Sequence, residues 1–278
     1  MDIEHLRRWI GRTETLHDTV TPAPLRALAA TLDRDDAPAD TVPPLWHWLY
    51  FLPAHRQSEL GPDGHPKRGG FLPPVALPRR MWAGSRLAFA APLHVGERIA
   101  RTSRIADVRL TQGRSGPLVF VQVDHEIAGE HGIAIRETHD IVYRDHPRAG
   151  APAADPVPAP QDAAWSRRIV PDDVLLFRYS ALTFNGHRIH YDRAYASGVE
   201  GYPGLVVHGP LIATLLLELL RRERPGATLT GYAFKAVAPL FDGAPFAVCG
   251  RPDGANAAAL WACKNDGRLA MRADAVLA

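Results

Sequence analysis

The stretch FRYSALTFNGHRIHYDRAYA (residues 177–196), with SGVEGYPGL (197–205) and VVHGPLIATLLLELLRR (206–222) after it, decides how the chain is organised. Its last part predicts the most apolar helix of the protein, over residues 210–222. Pro210 suits the first turn of that helix, because the N–H that proline lacks would be unpaired there anyway. Leucine and isoleucine cover most of the helix circumference, so we expect other elements to wrap it.

A cluster of polar side chains lies just before this helix. Asn185, His187, His190 and Asp192 fall within eight residues. The free N–H groups at a helix start can hold a carbonyl oxygen that gains negative charge. Histidines beside such a terminus suit general acid/base chemistry on a carbonyl compound. A metal site made by His187, His190 and Asp192 is an alternative, and His208 fits packing as well as a site role.

Composition bounds the class of protein. The chain has 278 residues, of which 46% are hydrophobic, and its formal net charge is +2. A full core is expected, and no strong charge draws the chain to nucleic acid or a membrane. Cys249 and Cys263 match no metal-binding spacing, and we expect free thiols in a reducing compartment. With no targeting signal recognised, the sequence predicts a cytoplasmic protein.

The first part of the chain reads as helix and then loop. Residues 2–34 look helical with interruptions, with Asp2 as a cap and Thr21-Pro22 as a second helix start. Residues 44–78 form a long loop from aromatic residues to glycines. Long ordered loops often bind ligands, and simple packing on a neighbouring sheet is the alternative.

The strand patterns occur in two sets. The first begins at Pro92 and the second follows the apolar helix, with a Pro/Ala-rich linker between them. PLHVG at 92–96 matches PLFDG at 239–243, and both sets end in a glycine-led alternating strand. We therefore predict an α+β chain of two helix-then-antiparallel-sheet units. The predicted boundaries are 1–146, a linker at 147–163, and 164–278. Residues 78–89 (PRRMWAGSRLAF) are placed where the second unit has its histidines, so the first unit is interpreted as a degenerate copy.

The motif TFNGHRIHYD (residues 183–192), with His208-Gly209 about eighteen residues after His190, resembles that of the MaoC-like hydratases and dehydratases. The two-unit organisation resembles the double-hotdog branch, which includes mesaconyl-C4-CoA hydratase, itaconyl-CoA hydratase and 3-hydroxyacyl-thioester dehydratase type 2. The resemblance implies a double hotdog, each unit a long helix wrapped by a bent sheet, and a metal-free site. Asn185 stands where the family has a catalytic aspartate, and His187 where it has asparagine.

The resemblance also implies reversible addition of water to the C2–C3 double bond of an enoyl thioester. The Gly209 N–H would hold the thioester carbonyl, and His190 would take a proton from water. Asn185 would position that water, since an amide cannot transfer protons. Either His187 carries the second proton, with Asp192 orienting one of the histidines, or His190 moves both protons through the same water.

The expected substrate is an acyl-CoA, and no other cofactor is expected. The candidate partners of the coenzyme A phosphates are basic residues, namely Lys67, Arg68, Arg79, Arg80 and Lys235. Arg188 or Arg80 would pair with the distal carboxylate of a dicarboxylic acyl group. A long apolar chain would instead need a tunnel near Trp46, Trp48 and Phe51.

Three functions follow from these patterns. The first is hydration of a short branched dicarboxylic acyl-CoA, of the mesaconyl-C4-CoA or itaconyl-CoA to citramalyl-CoA type. The second is a (3R)-hydroxyacyl-thioester dehydratase of fatty-acid synthesis. The third, suggested by Asn185, is a non-catalytic acyl-thioester-binding protein. A double hotdog pairs its two units internally, so both a monomer and a homodimer fit.

Overall fold

The computed structural model describes residues 1–113, 116–146 and 155–278. Ten strands run through these ranges: β1 (Thr13–Thr19), β2 (Arg79–Phe89), β3 (Arg98–Gly113), β4 (Gly116–Gly129), β5 (Gly132–Arg144), β6 (Trp165–Ile169), β7 (Leu229–Ala236), β8 (Phe246–Pro252), β9 (Ala257–Lys264) and β10 (Leu269–Leu277). The α-helices are α1 (Ile3–Arg7), α2 (Pro22–Thr31), α3 (Asp173–Leu182), α4 (Arg193–Gly198) and α5 (Gly209–Glu223). Short 3-10 helices lie at Trp46–Leu49, Gln57–Glu59 and Arg188–His190.

All these strands belong to one antiparallel sheet, in the order β1-β3-β4-β5-β2-β7-β10-β9-β8-β6. The second half of this order repeats the first half in reverse, and the β2–β7 pair joins the two halves. The predicted repeat is therefore confirmed. Leu93 and Leu240, at the same place in the two PL motifs, are both buried. The chain is an α+β double hotdog.

Helix α5 lies at the centre of the core. Ten consecutive residues of it, 211–220, are buried, including Glu218. First-half residues such as Leu87 and Ile127, and second-half residues such as Phe234, belong to the same core cluster. Each fully buried leucine contributes roughly 1.5–3 kcal/mol. The prediction of a wrapped helix is confirmed.

Two local predictions in the first half were wrong. Residues 13–19 form β1, which pairs with β3, although residues 2–34 were expected to be helical. Asp2 and Thr21 do precede α1 and α2, and Asp2 accepts a hydrogen bond from the His5 N–H. Residues 79–89 form β2, the counterpart of β7 and not of the histidine cluster. A register shift between Trp82 and Gly84 interrupts the alternation that would have indicated this strand.

The expectation of a long helix in each unit was also wrong. Between α2 and β2, where the second half has α5, the first half has an irregular segment with two short 3-10 helices. Its prolines and glycines explain this, because they remove helix hydrogen bonds and favour turns. The longest helix of the described part of the first half, α2, has 10 residues, against 15 in α5.

The predicted domain boundaries stay a prediction. Residues 147–154 of the predicted linker lie outside the described residues. The part that follows them is extended, with a bridge between Pro158 and Arg268 and a buried Ala159. The strands of the first half end at Arg144, and those of the second begin at Trp165. Among the helices of the described ranges, none has the length and apolar character needed to cross a membrane.

Candidate active site

The polar cluster begins where α3 ends. Phe184 has a left-handed backbone (φ 48°), which turns the chain sharply after the helix. The Asn185 N–H then donates to the Ser180 carbonyl at 2.8 Å, and its Oδ1 accepts from the His187 N–H at 3.0 Å. Asn185 thus fixes the turn, and the amide in this place supplies no proton.

His190 is buried, and one hydrogen bond defines its tautomer. Its Nδ1 lies 2.7 Å from the Val206 carbonyl oxygen, which can only accept. Nδ1 is therefore the protonated nitrogen, and Nε2 carries a lone pair. Burial lowers the pKa of His190 to about 4. The ring is neutral near pH 7, as a base that takes a proton from water must be.

His208 and Gly209 form the start of α5 beside His190. The His208 and His190 rings are stacked, with centroids 3.7 Å apart. His208 Nε2 lies 2.8 Å from Ser180 Oγ, and burial holds the pKa of His208 well below its ordinary value. Gly209 is the first residue of the helix, so its N–H has no partner within the helix. His208 packs against His190, and Gly209 presents an N–H that has no partner within the helix.

Asp192 does not orient a histidine ring, contrary to the expectation. Its Oδ1 accepts from the Tyr195 N–H at 3.0 Å and caps α4. Its Oδ2 accepts from Arg188 Nη2 at 2.7 Å. These hydrogen bonds, first that from Tyr195 and then that from Arg188, lower the pKa of Asp192. The hydrogen bonds of its carboxylate within the described residues thus go to the backbone and Arg188.

A loop of the first half, residues 61–70, packs directly on this turn. Gly64 is left-handed (φ 87°), and a Cβ there would lie 1.8 Å from the Gly186 carbonyl oxygen. The Arg188 N–H donates to the Asp63 carbonyl at 2.9 Å. The loop and the turn therefore meet backbone to backbone, and only glycine allows this approach.

The 61–70 loop carries an Asp–His pair that the sequence analysis missed. His65 Nδ1 lies 2.9 Å from Asp63 Oδ2, and the His65 and His187 ring centroids are 4.0 Å apart. The Asp-x-His spacing in GPDGHP was the available signal. Burial lowers the pKa of both histidines, that of His187 to about 2. Burial alone would raise the pKa of Asp63, but its contacts with His65 lower it.

These three residues are also a possible ligand set for a metal ion. Asp63, His65 and His187 each offer one ligand atom, and the atoms lie within 4.8 Å of one another. Two imidazoles and a carboxylate suit several divalent metals. The set differs from the predicted alternative, because Asp192 and His190 are not in it.

Two adjoining cavities meet at this site. The smaller, about 540 Å³, is lined by His190, Gly209, Asn185 and His187. The larger, about 1270 Å³, extends over the 61–70 loop and the aromatic segment around Trp48 and Phe51. The lining residues that the two cavities share come from both halves of the chain, and they include His65, Arg80, Trp82, His139, Asn185 and Pro210.

The predicted basic residues differ in which cavity they line and in whether they are already paired. Arg80 lines both cavities, and Lys67 and Arg68 line the larger one. Arg68 donates to the carbonyls of Val75 and Pro78, and so it braces its own loop. Arg79 lines the smaller cavity and is paired with Glu200 at 2.8 Å.

Two further basic candidates are less well placed. Arg188 is occupied by Asp192 and the Pro62 carbonyl, and its guanidinium lies 4.2 Å from the Tyr195 ring centroid. Lys235 is exposed on β7 and lines neither of the two cavities. Of the predicted basic residues, Arg80 is therefore the one that lines both cavities.

A buried network of the first half forms another wall of the site. Glu137 accepts from Trp48 Nε1 at 3.1 Å, and His47 Nε2 lies 3.0 Å from the same oxygen. His139 Nε2 lies 2.7 Å from the other carboxylate oxygen, and its ring lies 4.1 Å from that of Trp82. Burial raises the pKa of Glu137, but the two histidines more than offset this and hold it well below its ordinary value. The network fixes the two tryptophans at the cavity.

Comparisons with known proteins agree with this geometry. The family described as hydroxyacyl-thioester dehydratase type 2 matches residues 45–242. The chain is 53% identical over 252 residues to the mesaconyl-C(4)-CoA hydratase of Chloroflexus aurantiacus, covering 88% of this chain and 89% of that protein. This chain belongs to the hydroxyacyl-thioester dehydratase type 2 family. It is therefore a hydro-lyase.

More distant relatives share the fold. A mitochondrial hydroxyacyl-thioester dehydratase type 2 of Schizosaccharomyces pombe is 28% identical over 267 residues, covering 84% of this chain and 88% of that protein. A solved MaoC-like dehydratase superposes with a TM-score of 0.73 at 14% identity, covering 98% of this chain and 99% of that one. A Mycobacterium tuberculosis protein described as a double hotdog gives 0.58 at 14% identity, covering 97% and 96%.

Acid is expected to destabilise the folded protein already below pH 6.5. The unfolded chain binds protons on His187 and His190 near pH 6.5, whereas in the folded chain their pKa values fall to about 2 and about 4. The free energy of unfolding therefore drops as the pH falls, by about 1.4 kcal/mol per pH unit for each such histidine. Urea unfolding at pH 7, 6 and 5 measures this slope. His187→Asn should make it shallower and the exposed His131→Asn should not; equal slopes for His187→Asn and the unaltered chain would contradict the prediction.

Gly64→Ala should displace the 61–70 loop from the site, and Gly69→Ala is its matched control. Both glycines are left-handed, but a Cβ at Gly69 meets nothing closer than 3.7 Å. The backbone strain of about 1–2 kcal/mol is common to both variants, and only Gly64→Ala adds the clash with Gly186. A shift of about 1 Å can cost about 100-fold in rate. We expect such a loss of thioester turnover for Gly64→Ala alone, and equal activity of the two variants would disprove the docking.

Proposed function

We propose that this protein hydrates the C2–C3 double bond of a short branched dicarboxylic enoyl-CoA, with mesaconyl-C4-CoA to citramalyl-CoA as the expected reaction. The observation that carries the proposal is the pairing, in one cavity, of His190 with the start of α5. His190 has its tautomer set by Val206, and Gly209 has an N–H without a partner in the helix. The identity to a mesaconyl-C(4)-CoA hydratase supports this substrate class.

The chemistry follows from these two groups. The Gly209 N–H, at the positive end of the α5 dipole, donates to the thioester carbonyl. His190 Nε2 takes a proton from water as the water oxygen bonds to C3. The electron pair of the C2–C3 bond then moves toward the carbonyl, and the resulting enolate charge lies on the oxygen held by Gly209. Protonation of C2 completes the addition, and every step is reversible.

Arg80 supports the dicarboxylic assignment. It lies at the junction of the two cavities and is close enough to His187 and His65 to lower the pKa of both. A carboxylate on or near C3 of the substrate would therefore reach a guanidinium, which binds carboxylates well. Lys67, on the larger cavity, is the candidate partner for the coenzyme A phosphates.

The remaining assignments are part of the same proposal. The reaction uses no cofactor beyond the coenzyme A of its substrate, and the protein works in the cytoplasm as a monomer or homodimer. Free Cys249 and Cys263 support a reducing compartment. Retention of full activity after dialysis against a chelator is the expected result, and restoration of lost activity by a divalent ion would contradict the metal-free scheme.

A substrate panel tests the proposal. We expect loss of enoyl absorbance with mesaconyl-C4-CoA at a higher kcat/KM than with crotonyl-CoA. Arg80→Ala should lower kcat/KM for the dicarboxylic substrate by about 10–150-fold, the value of a charge-assisted hydrogen bond of about 1.5–3 kcal/mol. The crotonyl-CoA rate should change much less. Lys67→Ala should instead affect all CoA substrates alike.

Other outcomes of the panel select other functions. Preference for crotonyl or longer apolar thioesters, with (3R)-hydroxyacyl-CoA as product, would indicate the fatty-acid dehydratase. That result would assign the larger cavity beside Trp48 and Phe51 to an acyl chain. Saturable binding without turnover of any thioester would contradict the proposed reaction.

The roles at the turn are tested by two variants. His190→Ala should lower kcat by about 10²–10⁴-fold, the usual contribution of a positioned acid or base. Asn185→Asp should retain activity, because its carboxylate can still accept from the His187 N–H. Stopped assays with the same enoyl-CoA give both values. Near-normal turnover by His190→Ala would refute the assignment of the base.

A further inference from the structure

The proposed hydration needs a second proton carrier, because Asn185 cannot supply the proton for C2. We propose that His65, held by Asp63, is the residue that exchanges the C2 proton, while His190 acts on the water at C3. This inference rests on the proposed function and adds a catalytic residue to it. It also assigns a chemical task to a loop of the half of the chain that lacks the histidine motif.

The position of His65 fits this task. It lines both cavities, at the junction that Arg80 and Asn185 also line. The backbone contact between Gly64 and Gly186 fixes it there. Its Nδ1 is taken by Asp63 at 2.9 Å, which leaves Nε2 as the nitrogen that can meet the substrate. The carboxylate fixes the tautomer and stabilises the imidazolium form, as in other catalytic His–carboxylate pairs.

His187 is less suited to the same task. The hydrogen bond between His187 and Asn185 uses the His187 backbone N–H and not its ring. Within the described residues, no carboxylate makes an ion pair with its ring at salt-bridge distance, whereas Asp63 does so with His65. Burial, His65, His190 and Arg80 all lower the pKa of His187, and the charge of Asp63 opposes this only in part. A proton on the His187 ring is therefore disfavoured.

The charges balance over one turnover. His65 must hold a proton when the enolate forms, and in the free protein burial and then Arg80 lower its pKa. A substrate carboxylate that pairs with Arg80 offsets that positive charge, so His65 takes a proton from solvent as the anionic substrate binds. The electron pair at C2 then forms the new C–H bond with the proton of Nε2. His190 keeps the proton from water and releases it to solvent as product leaves.

The test uses the full chain with mesaconyl-C4-CoA, and His131→Asn is the control. His131 is an exposed histidine between β4 and β5 that lines neither cavity. His65→Ala should lower kcat by about 10²–10⁴-fold with KM within a few-fold. Added imidazole should restore part of kcat. In D2O, His65→Ala should also lose exchange of the C2 hydrogen of the hydroxyacyl-CoA product, and His131→Asn should match the unaltered protein throughout.

Asp63→Asn keeps the test decisive if His65→Ala folds poorly. Its amide oxygen can still accept from Nδ1–H, but the charge that favours protonated His65 is lost. The upper limb of the pH profile of kcat should therefore move to lower pH. An unchanged profile, or a His65→Ala turnover within about threefold of normal, would overturn the inference. The inference would also be overturned if the protein bound one zinc ion, if turnover required that ion, and if His65→Ala abolished its binding.

The proposed function fails by a different result. It fails if the unaltered protein hydrates no enoyl-CoA of the panel. If the unaltered protein is active and His65→Ala remains active, the hydration stands and only the role of His65 is lost. A purely structural role of His65 would give a different set of results. His65→Ala would then have a raised KM and a lower thermal stability, and imidazole would not restore its turnover. The pH profile of Asp63→Asn would be normal.

Discussion

The burial of residues 211–220 of α5 is the constraint on which the rest of the structure depends. These residues are buried on every side, including the charged Glu218. Glu218 is held by Arg221 at 3.0 Å and by Arg34 of the first half at 3.4 Å. Because residues from both halves of the sheet belong to the core cluster that contains α5, the two halves bury their apolar faces in one common core. The ends of the helix are the places where a ligand can approach it, and the first turn faces the smaller cavity.

This constraint explains which parts of the fold could be predicted from sequence. A helix that is apolar all round has a clear sequence pattern, and so do the repeated PL motifs before the two strand sets. The repeat alone predicts a long helix in the first half. The residues in its place, 32–78, are rich in proline and glycine and do not favour a helix. β2 was missed for a local reason. The register shift at Trp82 and Gly84 breaks its alternation, and its pairing with β7 depends on residues about 150 positions away.

The site divides in the same way. Asn185, His187 and His190 could be grouped from sequence because a single turn carries them. The tautomer of His190 could not be predicted from sequence. It depends on the carbonyl of Val206, which reaches the ring only when the Gly/Pro loop folds back. The expected role of Asp192 was wrong because this residue is the N-cap of α4. Its side chain accepts from the Tyr195 N–H and does not orient a histidine ring. The 61–70 loop lies more than 110 residues from the turn it touches, and nothing local records that contact.

The first half is therefore better described as adapted than as degenerate. It has lost the long helix, and the irregular segment in its place carries Asp63, His65, Lys67 and the aromatic residues of the larger cavity. Its strands bring Arg80, Trp82 and the buried Glu137 network to the same wall. An acid at position 185 would lie beside His187, whose pKa burial already depresses, and it would raise the proton affinity of that ring. An amide there keeps His187 neutral. The histidine that a carboxylate supports is then His65, which pairs with Asp63 on the 61–70 loop. The change at Asn185 and the approach of Gly64 to Gly186 can then be understood together, because the loop that docks on the turn brings the carboxylate that the turn lacks.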